Sequence, residues 1–575
     1  MKDLLDELNS GTYIRQGNHR SIEYFDWAGL NLVDMAEEFV EKNRLPEAYF
    51  IKNMNKIFKT DLFGTLLKKW ILEHLFKLFN ILDGIATSPS QLNSKLTLED
   101  CPLNRFGAEK YCSRFQISLE IKWRKPPTIL KKFLNILLRC PFTLYLSLNK
   151  GVKFSTKRKK YKILREALWG LYDIGGYYFH DDFLVDGDRI KKEDILLYSR
   201  GLINTDSFRL KASFDAKKSP YSHFDILSLP IGFDILFSRI IPKYIILSSM
   251  ALFGDMATAH FSLFLRLYLC FVYNALPYEK LFSHFEILSE MGHNYFSASH
   301  IAEAIICRNY RTRYYLMHWS DISTPFLNKH IVSFLGCDGF LFWGNAHVQG
   351  VEKAQSVFIP TGYVFKRFIK EVTSNRDKVL FEMGVCAKGK IIAFFDESFG
   401  SECEMTEENY VTFWETALRV AERQIDSTVL IKPKDLARHN NLSSDLKNRF
   451  IDMKNKMERM PNLYIVDENR WSFIETIGVA DIVVTQGMSS SATIAIICGI
   501  EGLYLNQIKD THSFVRLFSD RIVFDSPDKL LIMIDKIIKD GESPLKAIPE
   551  SILREYDAYD DNRGIDRLRD ILLKE

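Results

Sequence analysis

Long apolar runs are missing from this chain. A membrane-crossing helix needs about 18 or more consecutive apolar residues. The greasiest segment, YIILSSMALFGDMATAHFSLFLRLYLCFVYNAL, is broken by Asp255, His260 and Arg266, so buried helices are expected there rather than a span. The N-terminal MKDLLDELNSGTYIRQGN likewise lacks the apolar stretch of a signal peptide. The nine cysteines show no CxxC or CxxxxC spacing. A chain with room for large cores needs no disulfides, so buried thiols of a reducing compartment are expected. Internal repeats and low-complexity tracts are absent. So is a strong net charge: +3 over 575 residues points to no partner. These absences predict a cytoplasmic protein, and a place on the inner face of a membrane is expected only from the basic stretch over 121–165.

What is present is an ordinary globular composition, 47% hydrophobic and 26% charged, long enough for two to four domains. The charge is unevenly spread. From Ile121 to Arg165 the chain carries 14 Lys or Arg and no Asp or Glu, around the apolar-basic ILKKFLNILLRCPFTLYLSLNK. Such a helix lays its apolar side at the headgroup boundary while its lysines meet anionic lipid. The plainer reading is a solvated helix pair whose acids lie elsewhere. Nucleic acid is not expected, since no binding motif accompanies the charge.

Residues 1–160 read as a mostly helical region. From about Lys160 the pattern reads as helix, followed by the strand ILLYS and long apolar helices. Past Tyr278, strands and helices alternate: EAIICRNY as helix, then YYLMHWSD, CDGFLFWG and SVFIPTG as strands. Residues 363–388 are polar and read as a linker. A second run follows over 389–545: KIIAFFDES, a helix entered through Thr406, TVLIKPK, NLYIVDEN, SFIETIGVA, DIVVTQ, ATIAIICG, GLYLN, RIVF and DKLLIMIDKII. This alternation predicts an α/β chain with two Rossmann-like domains, 161–362 and 389–545, and a helical tail over 546–575.

Ligands of such sheets bind outside the carboxyl ends of the strands. In the second domain those ends carry Asp396, Glu397 and Ser398; Lys432, Pro433 and Lys434; Asp467, Glu468 and Asn469; and Gln486 through Ser491. Two lysines beside a serine triplet that opens a helix suit a phosphate or diphosphate, because a helix N-terminus presents free N–H groups and partial positive charge. A serine before a helix is most often only an N-cap. One of Ser489 and Ser490 is expected to cap and Gly499 to end the helix, which leaves at least one hydroxyl over.

The succession CDGFLFWGNAHVQG, FIPTGY, KIIAFFDES, TVLIKPK, VDEN and ADIVVTQGMSSSATIAIICGIEGLYLN resembles glycosyltransferases of the GT-B fold. It is most similar to bacterial families that build surface carbohydrate, the lipopolysaccharide O-chains and capsules. The closing DAYDDNRGIDRLRDIL resembles the Asp- and Arg-rich tail of many such chains. The resemblance implies two domains facing a cleft and a nucleotide-sugar donor held by the C-terminal one. The acceptor would be a glycan or lipid-linked glycan on the N-terminal side, and no metal is implied. The serine-bearing helix start would face the phosphate at Ser489, Ser490 and Ser491. The basic or His-Pro dipeptide of the family maps to Lys432 and Pro433, with KP where cytidine-nucleotide families carry HP. Lys434, Gln486 and Gly344 complete the expected binding set. The ribose-binding acid has no clean equivalent, with Glu501 and Glu475 nearest.

For the acceptor base the candidates are His318 and Asp321 at a strand end, with Asp396 or Glu397 from the other domain. His300 and Glu303 lie at a helix start, where packing alone accounts for His300; Trp319 and Trp343 are available to stack on a sugar, although core packing is the commoner use of tryptophan. DFLVDGD holds Asp182, Asp186 and Asp188 at a spacing too loose for a metal motif. Two other readings stand beside transfer: a nucleotide-sugar epimerase of the same fold, and a non-catalytic membrane-docked assembly protein.

Overall fold

The computed structural model describes residues 22–86, 96–115, 121–124, 159–166, 183–199, 222–225, 261–293, 297–318, 320, 333–348, 356–399, 405–468, 470–508 and 518–574. Asp182, Trp319, Asp321, Asn469 and the bulk of the basic stretch, 125–158, lie outside them, as does the apolar segment up to residue 260.

The N-terminal region holds helices α1 (Ile22–Lys42), α2 (Tyr49–Phe58), α3 (Leu62–Ala86) and α4 (Pro102–Phe115), with a parallel pair, β1 (Leu96–Glu99) and β2 (Ile121–Arg124). Apolar residues recur along α3 at helical spacing: Leu67, Ile71, Leu75, Leu78 and Leu82 are all buried. That stripe shares a core with Leu164, Tyr198, Leu316 and Phe340 of the first large sheet.

This sheet has seven strands: β3 (Lys159–Glu166), β4 (Ile195–Ser199), β5 (Ser222–Asp225), β6 (Phe285–Gly292), β7 (Arg313–Met317), β8 (Gly339–Phe342) and β9 (Val357–Pro360). Their order is β5-β4-β3-β6-β7-β8-β9, and every pair is parallel. Helix α5 (Phe261–His284) leads into β6, and α6 (Ser299–Tyr310) joins β6 to β7. The strands expected at ILLYS, YYLM, GFLF and VFIP form as read. The helix expected from Lys160 does not: the segment is β3, next to the sheet's centre. It starts exposed at Lys159 and Lys160 and ends with Arg165 and Glu166 buried, a charge pattern that imitates an amphipathic helix. The long apolar segment is helical within α5, where Leu267, Phe271, Ala275 and Leu281 are buried.

The supposed linker is not a plain connector. It contains α7 (Lys366–Ser374) and α8 (Arg376–Glu382), which bury Ile369, Val372, Val379 and Leu380. The second sheet comprises β10 (Ile391–Phe395), β11 (Thr428–Lys432), β12 (Leu463–Ile465), β13 (Ile482–Gln486), β14 (Glu501–Leu505) and β15 (Val523–Phe524). The order is β12-β11-β10-β13-β14-β15, again all parallel. Around it lie α9 (Glu407–Arg423), α10 (Ser444–Met457), α11 (Phe473–Gly478), α12 (Ser490–Ile497) and α13 (Pro527–Lys539). The architecture is therefore two Rossmann-like sheets preceded by a helical region. Each sheet reverses its strand order once, between β3 and β6 and between β10 and β13, and a binding crevice opens at such a switch point.

The tail, α14 (Glu550–Tyr556) and α15 (Gly564–Leu573), returns to the first sheet. Ser289 Oγ of β6 donates to the Leu572 carbonyl at 2.6 Å. The Arg569 guanidinium donates to the carbonyls of Phe183, Leu184 and Val185 at 2.9–3.1 Å. Among the described residues no helix is long and apolar enough to cross a membrane.

Candidate active site

The β10/β13 crevice is closed at its base by one hydrogen bond. The Glu397 backbone N–H, just past β10, donates to Gln486 Oε1 at the end of β13, 3.0 Å away. The Gln486 side chain is buried, and among the described residues nothing accepts from its Nε2. Leaving such a donor unsatisfied costs about 1–3 kcal/mol, so an acceptor beyond the described residues is implied.

Helix α12 starts immediately beyond. Ser489 holds the N-cap position, yet its hydroxyl accepts no cap bond. By contrast, Thr406 caps α9 by accepting from Asn409 N, and Ser472 caps α11 by accepting from Ile474 N. Ser443 and Ser526 also precede helices without capping them, so an uncapped start by itself identifies nothing. The buried amide of Gln486 is what singles out α12. Ser490 Oγ accepts from Ser320 Oγ at 3.2 Å, which brings the segment after β7 to the segment after β13. The helix ends as expected. Gly499 takes φ 82°, its N–H reaches the Ile496 carbonyl and Ile500 N–H the Ala495 carbonyl, a Schellman stop.

The KPK turn lies against the same crevice. Asp396 Oδ1 accepts the Lys434 N–H at 2.6 Å and Oδ2 accepts Trp414 Nε1–H at 3.1 Å. Burial raises the Asp396 carboxyl to about 7 against the pull of those two donors. Asp396, expected as a possible base, is thus a buried strut under the turn with both oxygens engaged. Glu397 is half-buried and ion-paired with Lys434, whose Nζ meets Oε1 at 2.5 Å and Oε2 at 2.9 Å. Lys432 Nζ donates to the Pro433 carbonyl at 3.2 Å.

Glu501 does not join this group. It opens β14, so it sits at the amino end of the sheet, opposite the crevice. There its carboxylate accepts from Ser543 Oγ and from Leu545 N at 3.0 Å. Glu475 is spent in the Ser472 capping box. Gly344 is also corrected from ligand contact to packing: a Cβ there would lie 2.4 Å from the Glu555 carbonyl oxygen, so the glycine admits the tail's backbone.

On the first sheet, His318 follows β7 as expected but is fully enclosed rather than open to a cleft. Its ring lies 4.5 Å from that of His347 and 5.2 Å from that of Trp343, whose Nε1–H donates to the His318 carbonyl. Burial, aided by His347, drives its pKa well down and keeps the imidazole neutral. Trp343 is equally buried and packs rather than offering a stacking face. His300 is buried with Nδ1 at the Ser297 carbonyl, and Glu303 accepts from the Tyr198 and Tyr314 hydroxyls at 2.9 and 2.8 Å. Asp186 is spent on its own turn, accepting from the backbone of Asp188, Arg189 and Ile190.

The β3/β6 switch point carries residues the sequence reading missed. Arg165 and Glu166 end β3, and Glu166 Oε2 accepts the His293 N–H at 3.1 Å. Reading β3 as a helix hid them. The α6 start beside them is filled from within, since Glu73 of α3 accepts the Ala298 N–H. The two halves are therefore chemically unequal: the first neutralises its helix start with its own carboxylate, and the second presents Gln486 and three hydroxyls.

A groove of about 490 Å³ beside the edge strand β12, lined in part by Met383, Lys454, Tyr464 and Arg470, includes none of the crevice residues named above. No group of three or more metal-ligating side chains occurs among the described residues.

No family model matches the chain, and no curated protein matches it. Solved structures similar to it include the wall teichoic acid polymerase TagF. That likeness has TM-score 0.42 and 10% identity, over 78% of this chain and 96% of that one. A UDP-forming α,α-trehalose-phosphate synthase from Burkholderia xenovorans matches at TM-score 0.37 and 8% identity, over 72% of this chain and 100% of that one. MurG from Acinetobacter baumannii matches at TM-score 0.34 and 10% identity, over 72% and 100%. At that level of likeness nothing about this chain's chemistry follows from them.

Proposed function

We propose that this protein is a glycosyltransferase that moves a sugar from a nucleotide-activated donor to a surface polysaccharide or lipid-linked glycan. One observation carries the reading: the buried Gln486 Nε2, which has no acceptor among the described residues, beside an uncapped, serine-rich helix start at the switch point of the second sheet. Preorganised donors aimed at an anion stabilise the charge that grows on a leaving phosphate. In this reading Gln486, the α12 N–H groups, Ser489–Ser491, Lys432 and Lys434 hold the donor diphosphate and take up that charge. Asp396 sets the KPK turn from beneath. The acceptor is bound by the first domain, and Asp321, four residues past β7 in the sequence and outside the described residues, is proposed as the base in place of the buried His318.

Of the basic stretch, 159–165 belongs to β3; its remainder, 121–158, holds the enzyme at an anionic membrane surface on the cytoplasmic side in this reading, where a lipid-linked acceptor is within reach. Co-sedimentation with phosphatidylglycerol vesicles at low salt, lost at high salt, is the expected result. Binding indifferent to salt or absent contradicts it.

Replacing Ser490 and Ser491 together by alanine is expected to raise the donor KM about tenfold or more. It should change stability by less than the ~1 kcal/mol expected for Thr406→Ala, which removes a real cap. Nucleotide release from a panel of nucleotide-sugars, with and without a membrane-derived acceptor, measures the first quantity. A donor isomerised without any acceptor would point to the epimerase chemistry instead. A double variant that loses stability while keeping its KM reduces the serines to helix caps.

A further inference from the structure

The proposed phosphate site contains an anion of the chain's own. The Glu397 backbone is tied to Gln486, and its carboxylate meets the Lys434 ammonium through both oxygens, at 2.5 and 2.9 Å. Lys434 cannot simply move away with its turn, because Asp396 fixes its backbone N–H from below. Only the two side chains are free to exchange partners, and both are partly open to solvent, Lys434 at 49% and Glu397 at 30%.

We propose that Glu397 is an internal counter-ion: it pairs with Lys434 and is displaced from it when a diphosphate binds. This rests on the reading of the crevice as the donor-phosphate site. The carboxylate neutralises a lysine two residues past Lys432, and the Glu397 backbone N–H is tied to Gln486 at the end of β13. A diphosphate is a better partner for the same ammonium, since it adds charge and further acceptor oxygens. Binding is then an exchange, and Glu397 sets its threshold. Ligands with two phosphates displace the carboxylate readily, whereas a single phosphate does so poorly. Glu397 acts through Lys434 and is a positioning residue, not a catalytic one.

Calorimetric titration of the full-length protein with inorganic pyrophosphate, and separately with UDP, CDP and GDP, tests this. Glu397→Gln is expected to bind pyrophosphate and the preferred nucleotide about two- to fivefold tighter than wild type, the worth of a partly exposed ion pair. Lys434→Met weakens both, and in the Lys434→Met background Glu397→Gln brings no gain. Unchanged or weaker binding by Glu397→Gln overturns the proposal. So does a gain that persists without Lys434, which would mean plain charge repulsion. If pyrophosphate shows the expected pattern while no nucleotide binds the wild type, the counter-ion stands and the nucleotide-donor reading falls. Melting of each ligand-free variant shows that it is folded.

Discussion

Asp557→Ala is expected to destabilise the folded chain by about 3–5 kcal/mol, the loss typical when one partner of a buried ion pair is removed. Lys366, which opens α7 between the two sheets, and Asp557, in the tail, are each only 3% exposed at the side chain, and Nζ lies 2.9 Å from Oδ2. Asp557 Oδ1 also accepts the Tyr363 N–H at 3.0 Å. Burial alone pulls the Lys366 pKa down, but Asp557 and Asp560 outweigh it and hold the group above its ordinary value. With Asp557 gone, the ammonium keeps only Asp560, which is 59% exposed. The loss should spread along the tail, because α15 reaches the first sheet from this anchor. Urea unfolding measures the stability change, and hydrogen exchange over 564–573 reports release of the helix. Lys366→Met combined with Asp557→Leu should recover most of the loss, since an apolar pair leaves no stranded charge. A single variant within 1 kcal/mol of wild type would show that this ion pair does not anchor the tail.

Asp396 produces the second large effect, and it depends on pH. Its folded pKa, about 7, lies above the ordinary 3.8 because of burial. Below about pH 4 the group is protonated in both folded and unfolded chains, and its contribution to stability is whole. As pH rises towards about 7 the unfolded chain releases the proton while the folded one retains it, so stability is lost across that window. The swing is at most about 4 kcal/mol. Asp396→Asn removes the titration, so the variant should gain on wild type steadily from acid to neutral pH, by up to that amount. Unfolding curves at several pH values, run in parallel, give the difference. A constant offset between the two proteins would mean that Asp396 is ionised in the fold and that the strut is a charged one.

The second domain was legible because its strands are buried on both faces. IIAFF, TVLIK, IVVTQ and GLYLN read as short apolar runs, and Thr406 and Gly499 mark helix ends by local chemistry. Strand β3 was not legible, since buried Arg165 and Glu166 at its end look from sequence like a helix's polar face. Glu501 was misassigned for a geometric reason. It is near the serine triplet in sequence, but strand direction carries it to the other end of the sheet. The strut and the anchor leave no local trace at all. Trp414 reaches Asp396 from the following helix, and Lys366 meets Asp557 across 191 residues. The sequence places Gln486 at the crevice, but only the fold shows that its amide is buried and that its Nε2 has no acceptor among the described residues.

The central claim is that the β10/β13 crevice binds the phosphates of a nucleotide. Thermal melting of the wild type with CMP, UDP, GDP and their sugars at millimolar concentration tests it most directly. A nucleotide at 100 times its Kd adds about 2.7 kcal/mol of stability. At least one of the series should therefore raise the melting temperature by several degrees, and the shift should shrink in the Ser490→Ala, Ser491→Ala protein. No shift with any of them contradicts the claim.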